Sequence, residues 1–306
     1  MKRLVASLLA LAFSAAPALA EPAMWKVSDA DSSVYLFGSI HVFTRAVKWR
    51  TPMLDEEVKS ADHVYFELLL DEQAFATMGR AMLVEGRLRD GRTLWDLLTP
   101  EQAGELHAAL AAAGLEAATF ERMTPWMAEL MLSSALIQGA QAGVELTLAA
   151  EVEPERQRGL ETAEEQLGFM AQGSEADQIE NLMRAVKLMG APGSDTFVED
   201  MMSAWESGDA ETLYRMNSDE DAGTEDRYDV LITDRNERWT TRIEQMLAEN
   251  DAALVVVGAG HLVGPAGVPA LLAERGFEVE RVGTVTDAPE TEHAAGSPDG
   301  SAVTAR

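Results

Sequence analysis

The feature that most constrains the fold is a set of short apolar runs separated by long helical stretches. Four runs rich in β-branched and aromatic residues have the length of buried strands: Val34–Phe37, Val64–Phe66, Leu254–Val257 and Val279–Val282. A weaker candidate lies just before Gly159. Strands interrupted by helices are typical of an α/β architecture, which we therefore expect here.

The helical stretches begin with recognisable signals. Thr99-Pro100-Glu101-Gln102 is a capping box with proline at the first helical position, and it predicts a helix that runs to Gly114. Thr124-Pro125 opens another helix through Ile137. Further helical patterns cover Ala163–Met189, Asp195–Ser207, Ala210–Met216 and Tyr228–Glu249. The sequence thus predicts a long helical insert between the early and the late strands.

The first twenty residues have the pattern of a secretory signal peptide. Lys2 and Arg3 precede the apolar run Leu4–Phe13, and Ala18-Leu19-Ala20 presents small side chains to a signal peptidase. The apolar run has only about half of the ~20 residues that a membrane-spanning helix needs. We expect cleavage after Ala20, no membrane insertion afterwards, and a periplasmic or secreted mature protein.

The last residues differ in composition from the rest. From Thr286 to Arg306 the chain is rich in Ala, Ser, Pro, Gly, Asp, Glu and Thr, which cannot bury enough apolar surface to fold. We therefore expect residues 286–306 to be a disordered acidic tail and residues 21–285 to form one α/β domain.

Charge and cysteine content limit the partners and the cofactors. The 306 residues carry a formal net charge of -28, which repels nucleic acid and anionic lipid and argues against both as partners. The chain contains no cysteine, so it has neither disulfides nor a thiolate metal site. Any metal must be held by His, Asp or Glu.

One motif occurs twice, near opposite ends of the proposed domain. The strand Val34–Phe37 runs into Gly38-Ser39-Ile40-His41, and the strand Leu254–Val257 runs into Gly258-Ala259-Gly260-His261. Glycine lets the backbone turn sharply after a strand, with a positive φ if the turn needs it. Each histidine is then expected at the carboxyl edge of the sheet, where open α/β folds bind ligands.

Carboxylates follow two other strands in the same way. Glu67 comes directly after Val64–Phe66, and Glu161 follows Gly159-Leu160. If these strands are parallel, both carboxylates share an edge with the histidines, and the group suits Zn²⁺, Mn²⁺ or another divalent ion. The alternative is two unrelated, hydrogen-bonded structural histidines.

The chain has three other histidines, and none of them has this setting. His107 lies on an amphipathic helix and is expected to be structural. His63 precedes the Glu67 strand and is expected to pack or lie at the surface. His293 lies in the tail.

Together these elements resemble a known family, and the likeness spans nearly the whole predicted domain. It rests on the two G-x-x-H motifs, on Glu67 after its strand, on Leu160-Glu161-Thr162 with Glu165-Gln166 after it, and on Asp234-Arg235-Asn236 before Trp239. In this order they resemble the TraB/PrgY/GumN family, which includes the Tiki proteins and is related to the ChaN and erythromycin-esterase-like fold.

The resemblance implies a fold and a site. The fold would be a central mixed β-sheet flanked by helices, with the long insert between early and late strands. His41, His261 and Glu67 would be the metal ligands or catalytic groups, with Mn²⁺, Co²⁺ or Zn²⁺ as the ion. Arg235 would hold a substrate carboxylate or an oxyanion.

Other residues follow from the same resemblance. Gly38, Gly258, Glu161 and Asn236 would border the cofactor. One departure is Gly143-Val144-Glu145, where the family pattern leads us to expect Asp instead of Glu145.

Parts of the sequence point to three different functions. Gly258-Ala259-Gly260 with Gly264 approaches a dinucleotide fingerprint, but the spacing is wrong and Pro265 interrupts the following segment. No G-x-S-x-G, H-E-x-x-H or P-loop motif is present. The sequence and the resemblance favour an exported metal-dependent hydrolase, a peptidase acting on a peptide or small molecule. The alternative is a protein that binds and sequesters a peptide at the same edge without cleaving it.

Overall fold

A computed structural model describes residues 21–190, 194–218 and 228–283. The eight strands of this part of the chain are β1 (Met24–Ser28), β2 (Ser33–Ser39), β3 (Val42–Phe43), β4 (His63–Leu68), β5 (Gln141–Ala142), β6 (Gln157–Glu161), β7 (Ala253–Gly258) and β8 (Glu278–Val282). The α-helices within the same ranges are α1 (Pro52–Ser60), α2 (Glu72–Arg80), α3 (Leu94–Leu97), α4 (Pro100–Ala112), α5 (Ala117–Phe120), α6 (Pro125–Ser134), α7 (Val144–Glu151), α8 (Ala163–Met170), α9 (Glu175–Gly190), α10 (Ser194–Glu206), α11 (Ala210–Asn217), α12 (Asp234–Ala248) and α13 (Val268–Glu274).

Six strands form one mixed sheet in the order β6-β4-β7-β2-β1-β8. The four strands β6, β4, β7 and β2 are parallel, and β1 runs antiparallel to both of its neighbours. The register pairs Ser39 with Gly258, and Leu68 with Glu161. The carboxyl ends of β2, β4, β6 and β7 therefore lie along one edge, and the predicted mixed α/β fold is confirmed.

The side chains of a strand alternate between the two faces of the sheet, and in the central strands both faces are covered by a core. On one face, Phe37, Phe66 and Val256 belong to a core that also contains residues of α7 and α10. On the other face, Leu36 and Val255 pack with the apolar side of α12. This two-sided burial explains why these strands appear in the sequence as continuous apolar runs.

The helical insert has a core of its own. Leu106 of α4, Leu132 of α6 and Leu182 of α9 are fully buried in a cluster separate from the two sheet cores. The predicted insert between early and late strands is confirmed, and β6 lies within it.

Three details differ from the sequence-based predictions. The strand β1, between β2 and β8, was not predicted, because Met24–Ser28 contains Lys26 and lacks a continuous apolar run. The helical pattern over 163–189 is two helices, because Gly173 adopts φ +93° between them and Ser174 starts a new helix with Asp177. The stretch 228–249 begins with a π-helical turn, Asp229–Thr233, before α12.

Two predicted segments lie outside the described residues: the signal peptide (1–20) and the tail (286–306). Within the described part of the chain, no helix combines the length and apolar character needed to cross a bilayer.

Candidate functional site

The two histidines of the repeated motif meet at the carboxyl edge of the sheet. His41 follows β2, and His261 lies in a 3₁₀ turn, Ala259–Leu262, after β7. Glu67, near the end of β4, lies between them. Its Oε1 is 3.8 Å from Nε2 of His261, and one ligand atom of Glu67 lies within 4.8 Å of one from His41. Residues almost a whole domain apart in sequence are thus neighbours, because β7 pairs with both β2 and β4.

His41 is paired with Glu145, at the start of α7. The Nδ1 of His41 lies 2.7 Å from Oε1 of Glu145, and the buried hydroxyl of Ser39 donates to the same oxygen. A carboxylate only accepts hydrogen bonds, so Nδ1 carries the proton of this contact. The other oxygen of Glu145, Oε2, is buried and has no hydrogen-bond partner among the described residues.

The backbone of Gly143 places Glu145 beside His41. Its N–H donates to the carbonyl of His41, and the N–H of Val144 donates to the carbonyl of Ile40. A Cβ on Gly143 would lie 2.0 Å from the Ile40 oxygen and 2.4 Å from the His41 oxygen, so no other residue fits this backbone. The short pair β3–β5 joins the same two loops just beyond this contact.

Arg235, in the first turn of α12, lies at the centre of the residues around His261. Its Nε and Nη2 bind both oxygens of Glu161 at 3.0 and 2.6 Å, and Nη2 also donates to Glu67 at 2.7 Å. Its Nη1 donates to Nε2 of His261 at 3.1 Å and to the carbonyl of Leu231 at 3.0 Å. These contacts use all five N–H donors of a guanidinium. In this arrangement, none is free for the substrate carboxylate or oxyanion that the sequence suggested.

His261 is held as a neutral imidazole. Its Nδ1 lies 2.7 Å from Oδ1 of Asn236, and the amide nitrogen of Asn236 donates to the carbonyls of His261 and Ala266. The acceptor on Nδ1 directs the Nε2 lone pair at Arg235. Trp239 packs against the ring with the centroids 4.4 Å apart. Burial lowers the pKa of His261 to about 3. The positive charge of Arg235 also lowers this pKa, whereas the negative charge of Glu67 acts to raise it.

The electrostatics of the remaining groups follow from the same contacts. Burial raises the pKa of Glu67, but the fields of the imidazoles and Arg235, with the Gly258 N–H at 2.7 Å, outweigh it and hold the value at about 2. Desolvation opposes the charge on His41, but the hydrogen bond and charge of Glu145 raise its pKa to about 9. Burial raises the pKa of Glu161.

The family resemblance that the motifs suggested is confirmed by a comparison with protein families. Residues 23–281 match the TraB/PrgY/gumN family. The chain belongs to this family. Comparisons with curated proteins and with solved structures gave no significant match.

In this TraB/PrgY/gumN protein the two motif glycines have different tasks. A Cβ on Gly258 would lie 3.1 Å from Oε1 of Glu67 and 3.7 Å from Nε2 of His41, so this position borders the site directly. A Cβ on Gly38 would instead meet Ala259 at 3.2 Å, so glycine here lets the two strand ends approach. Neither residue is among those with positive φ, so these two turns do not need it.

The structure also locates two of the remaining histidines. His63 pairs through Nδ1 with Asp251 at 2.8 Å, beside the ring of Tyr65. The ring of His107 stacks on Trp95, with the centroids 4.1 Å apart. Neither is in the cluster at the carboxyl edge. His293 lies outside the described residues.

Among the described residues, the group able to hold a metal is His41, Glu67 and Glu145, with one ligand atom of each within 4.8 Å of the others. The predicted set contained His261 in place of Glu145. His261 remains beside Glu67, but its Nε2 faces Arg235. In the sequence, Glu145 differs from the family pattern and carries only one sign of a ligand. The available signal was Gly143-Val144-Glu145, which has the same Gly-apolar-Glu form as Gly159-Leu160-Glu161.

Proposed function

We propose that this protein is an exported, metal-dependent hydrolase, a peptidase, whose site is the carboxyl-edge cluster around Glu67. The observation that carries the proposal is the convergence of His41, Glu67 and Glu145 within 4.8 Å. Family membership supports it, because these residues lie within the matched region.

The donor set fits a divalent cation. One imidazole nitrogen and two carboxylates suit Mn²⁺, Co²⁺ or Zn²⁺. Oε2 of Glu145 is buried without a hydrogen-bond partner in the described structure. A buried carboxylate oxygen left unpaired is costly, and a cation would satisfy it. We therefore assign His41, Glu67 and Glu145 as the ligands.

The chain's own residues prepare this site for a cation. An ion held there would supply Lewis-acid polarisation of a carbonyl and a lowered pKa for water. Glu67 has a pKa of about 2, which makes it a weak base and a good anionic ligand. Arg235 and the Gly258 N–H each donate a hydrogen bond of 2.7 Å to Glu67, and these two bonds fix the orientation of its carboxylate. Nδ1 of His41 lies 2.7 Å from Glu145, and an ion held by both would take the place of the proton between them.

A peptide or small molecule would reach the site from the exposed side of His41, whose side chain is 66% accessible. Export to the periplasm or the medium rests on residues 1–20, which precede the described part of the chain.

The test combines metal binding with cleavage. Protein purified without chelators is titrated with Mn²⁺, Co²⁺ and Zn²⁺ in a calorimeter and then incubated with a mixed peptide library that is read by mass spectrometry. We expect ion binding and ion-dependent cleavage. Glu67→Gln should lower cleavage by more than the roughly 100-fold that follows loss of a group that only orients a ligand. His107→Ala, whose ring stacks on Trp95, is the matched control and should keep both properties.

Two outcomes count against the proposal. If no ion binds, the ligand assignment fails. If an ion binds and no peptide is cleaved while an unmodified peptide stays bound, the sequestering alternative is correct.

A further inference from the structure

The site contains two similar sets of side chains arranged around Glu67. Each set has the histidine of one G-x-x-H motif and the glutamate of one Gly-apolar-Glu segment. The first set is His41 with Glu145, and the second is His261 with Glu161. Glu67 lies between the sets, because its Oε1 approaches the Gly258 N–H and its Oε2 binds Arg235.

The two sets differ in what lies at their centre. In the first, Glu145 Oε2 is buried and has no partner in the described structure. In the second, the Arg235 guanidinium contacts both oxygens of Glu161, one oxygen of Glu67 and the Nε2 of His261, at 2.6 to 3.1 Å. Two carboxylates and one neutral imidazole nitrogen are also a ligand set for a divalent ion.

The charges explain why a cation is needed at this second position. Glu67 and Glu161 are both buried, and Arg235 binds both. Two buried carboxylates that share a site repel each other unless a positive charge lies between them. Arginine supplies a permanent charge and a planar set of donors that matches carboxylates, so the position is filled without any bound ion.

We propose that Arg235 takes the place of a second cation in a site with two cation positions around Glu67, so that the protein binds one divalent ion. The single-ion part rests on the proposed function, because it uses the His41, Glu67 and Glu145 ligand set. The part about Arg235 rests only on its own contacts. Arg235 is then a positioning residue, and removing its side chain should open a second ion site formed by Glu67, Glu161 and His261.

The experiment counts bound ions. Wild-type protein and Arg235→Ala are stripped with chelator, loaded with Mn²⁺ and analysed by elemental analysis and calorimetry. We expect one ion per chain for the wild type and two for Arg235→Ala. The melting temperature of Arg235→Ala should rise on Mn²⁺ addition by more than that of the wild type, because the second ion restores the missing charge. Arg242→Ala is the matched control: Arg242 is also on α12 but contacts Gln245 and Tyr65 instead, and the variant should bind one ion.

A second variant covers the case in which Arg235→Ala does not fold. Arg235→Ala/Glu161→Ala removes one of the two facing carboxylates along with the arginine and should fold and bind one ion. Two ions in the wild type, or no additional ion in folded Arg235→Ala, would overturn the inference. No ion in the wild type with one in Arg235→Ala would overturn the proposed function and support the role of Arg235.

Discussion

The two G-x-x-H elements end neighbouring parallel strands, yet their histidines have opposite environments. The side chain of His41 is 66% accessible, whereas that of His261 is 6% accessible. The carboxylate Glu145 faces His41 and raises its pKa to about 9. The neutral amide of Asn236 faces His261, whose burial lowers its pKa to about 3.

The difference shows that burial and the partner of Nδ1, and not the motif, determine the charge of each histidine. A carboxylate at Nδ1 favours the charged ring, and an amide oxygen in a buried setting keeps the ring neutral. The half of the site around His41 is open and suited to an external cation. The half around His261 is closed, and Arg235 supplies its positive charge.

The largest expected effect is a difference in stability loss between a substitution in the closed half and one in the open half. Glu67→Ala removes a partner of buried Arg235, so the free energy of unfolding should fall by about 3 kcal/mol. Glu145→Ala removes a partner of accessible His41 and should lower it by at most ~1 kcal/mol. Urea unfolding of metal-free protein at pH 7 measures both. Equal losses would show that the two halves do not differ in this way.

The pH dependence of stability should separate the two histidines. His261 has a lowered pKa, so between pH ~6.5 and about 3 the unfolded chain binds a proton that the folded chain does not. The free energy of unfolding therefore decreases as the pH is lowered through this range. His41 has a raised pKa, so its contribution is complete below pH ~6.5 and is lost as the pH rises through about 9. In metal-free protein, His261→Ala should flatten the acid side of the profile and His41→Ala the alkaline side. Thermal unfolding across this range measures both, and the reverse pattern would contradict the assigned environments.

Gly143 tests what holds the open half together. Gly143→Ala places a Cβ in contact with the carbonyls of Ile40 and His41, so the Glu145 loop must move. We expect a loss of about 1–3 kcal/mol in the free energy of unfolding and weaker Mn²⁺ binding. Gly104→Ala is the control, because nothing lies within 4 Å of a Cβ at this position of α4. It should raise stability by up to ~1 kcal/mol and leave Mn²⁺ binding unchanged. Unchanged Mn²⁺ affinity in Gly143→Ala would exclude this loop from the ion site.

The smallest expected effect is a difference in Mn²⁺ affinity between alanine substitutions at the two motif glycines. Gly258→Ala places a methyl group 3.1 Å from Glu67 and should weaken Mn²⁺ binding about tenfold, an effect of ~1.4 kcal/mol. Gly38→Ala meets Ala259 instead, so it should lower the melting temperature with little change in Mn²⁺ affinity. Calorimetric titration and thermal unfolding of both variants check this, and the opposite assignment of effects would show that Gly38 borders the ion.

Most of the fold could be predicted from local patterns. The runs at Val34, Val64 and Leu254 are buried on both faces of the sheet and therefore carry an unbroken apolar signal. β1 lacked this signal because Lys26 interrupts it. The break at Gly173 was missed because the flanking residues keep a helical pattern across it.

The site was predicted only in part. His41, Glu67 and His261 were expected together, and they lie together at the carboxyl edge. Glu145 was not expected as a ligand, because its place beside His41 depends on backbone hydrogen bonds between loops a hundred residues apart. Arg235 was expected to face the substrate, but Glu67, Glu161 and His261 use its donors.

The sequence by itself determined the α/β class and the edge of the sheet where polar groups collect. Apolar runs define strands, and the residues that follow parallel strands share one edge. The tertiary structure alone decided which histidine is charged and which is neutral. That depends on burial and on the group at Nδ1, and both come from distant segments: Glu145 after β5 for His41, and Asn236 on α12 for His261.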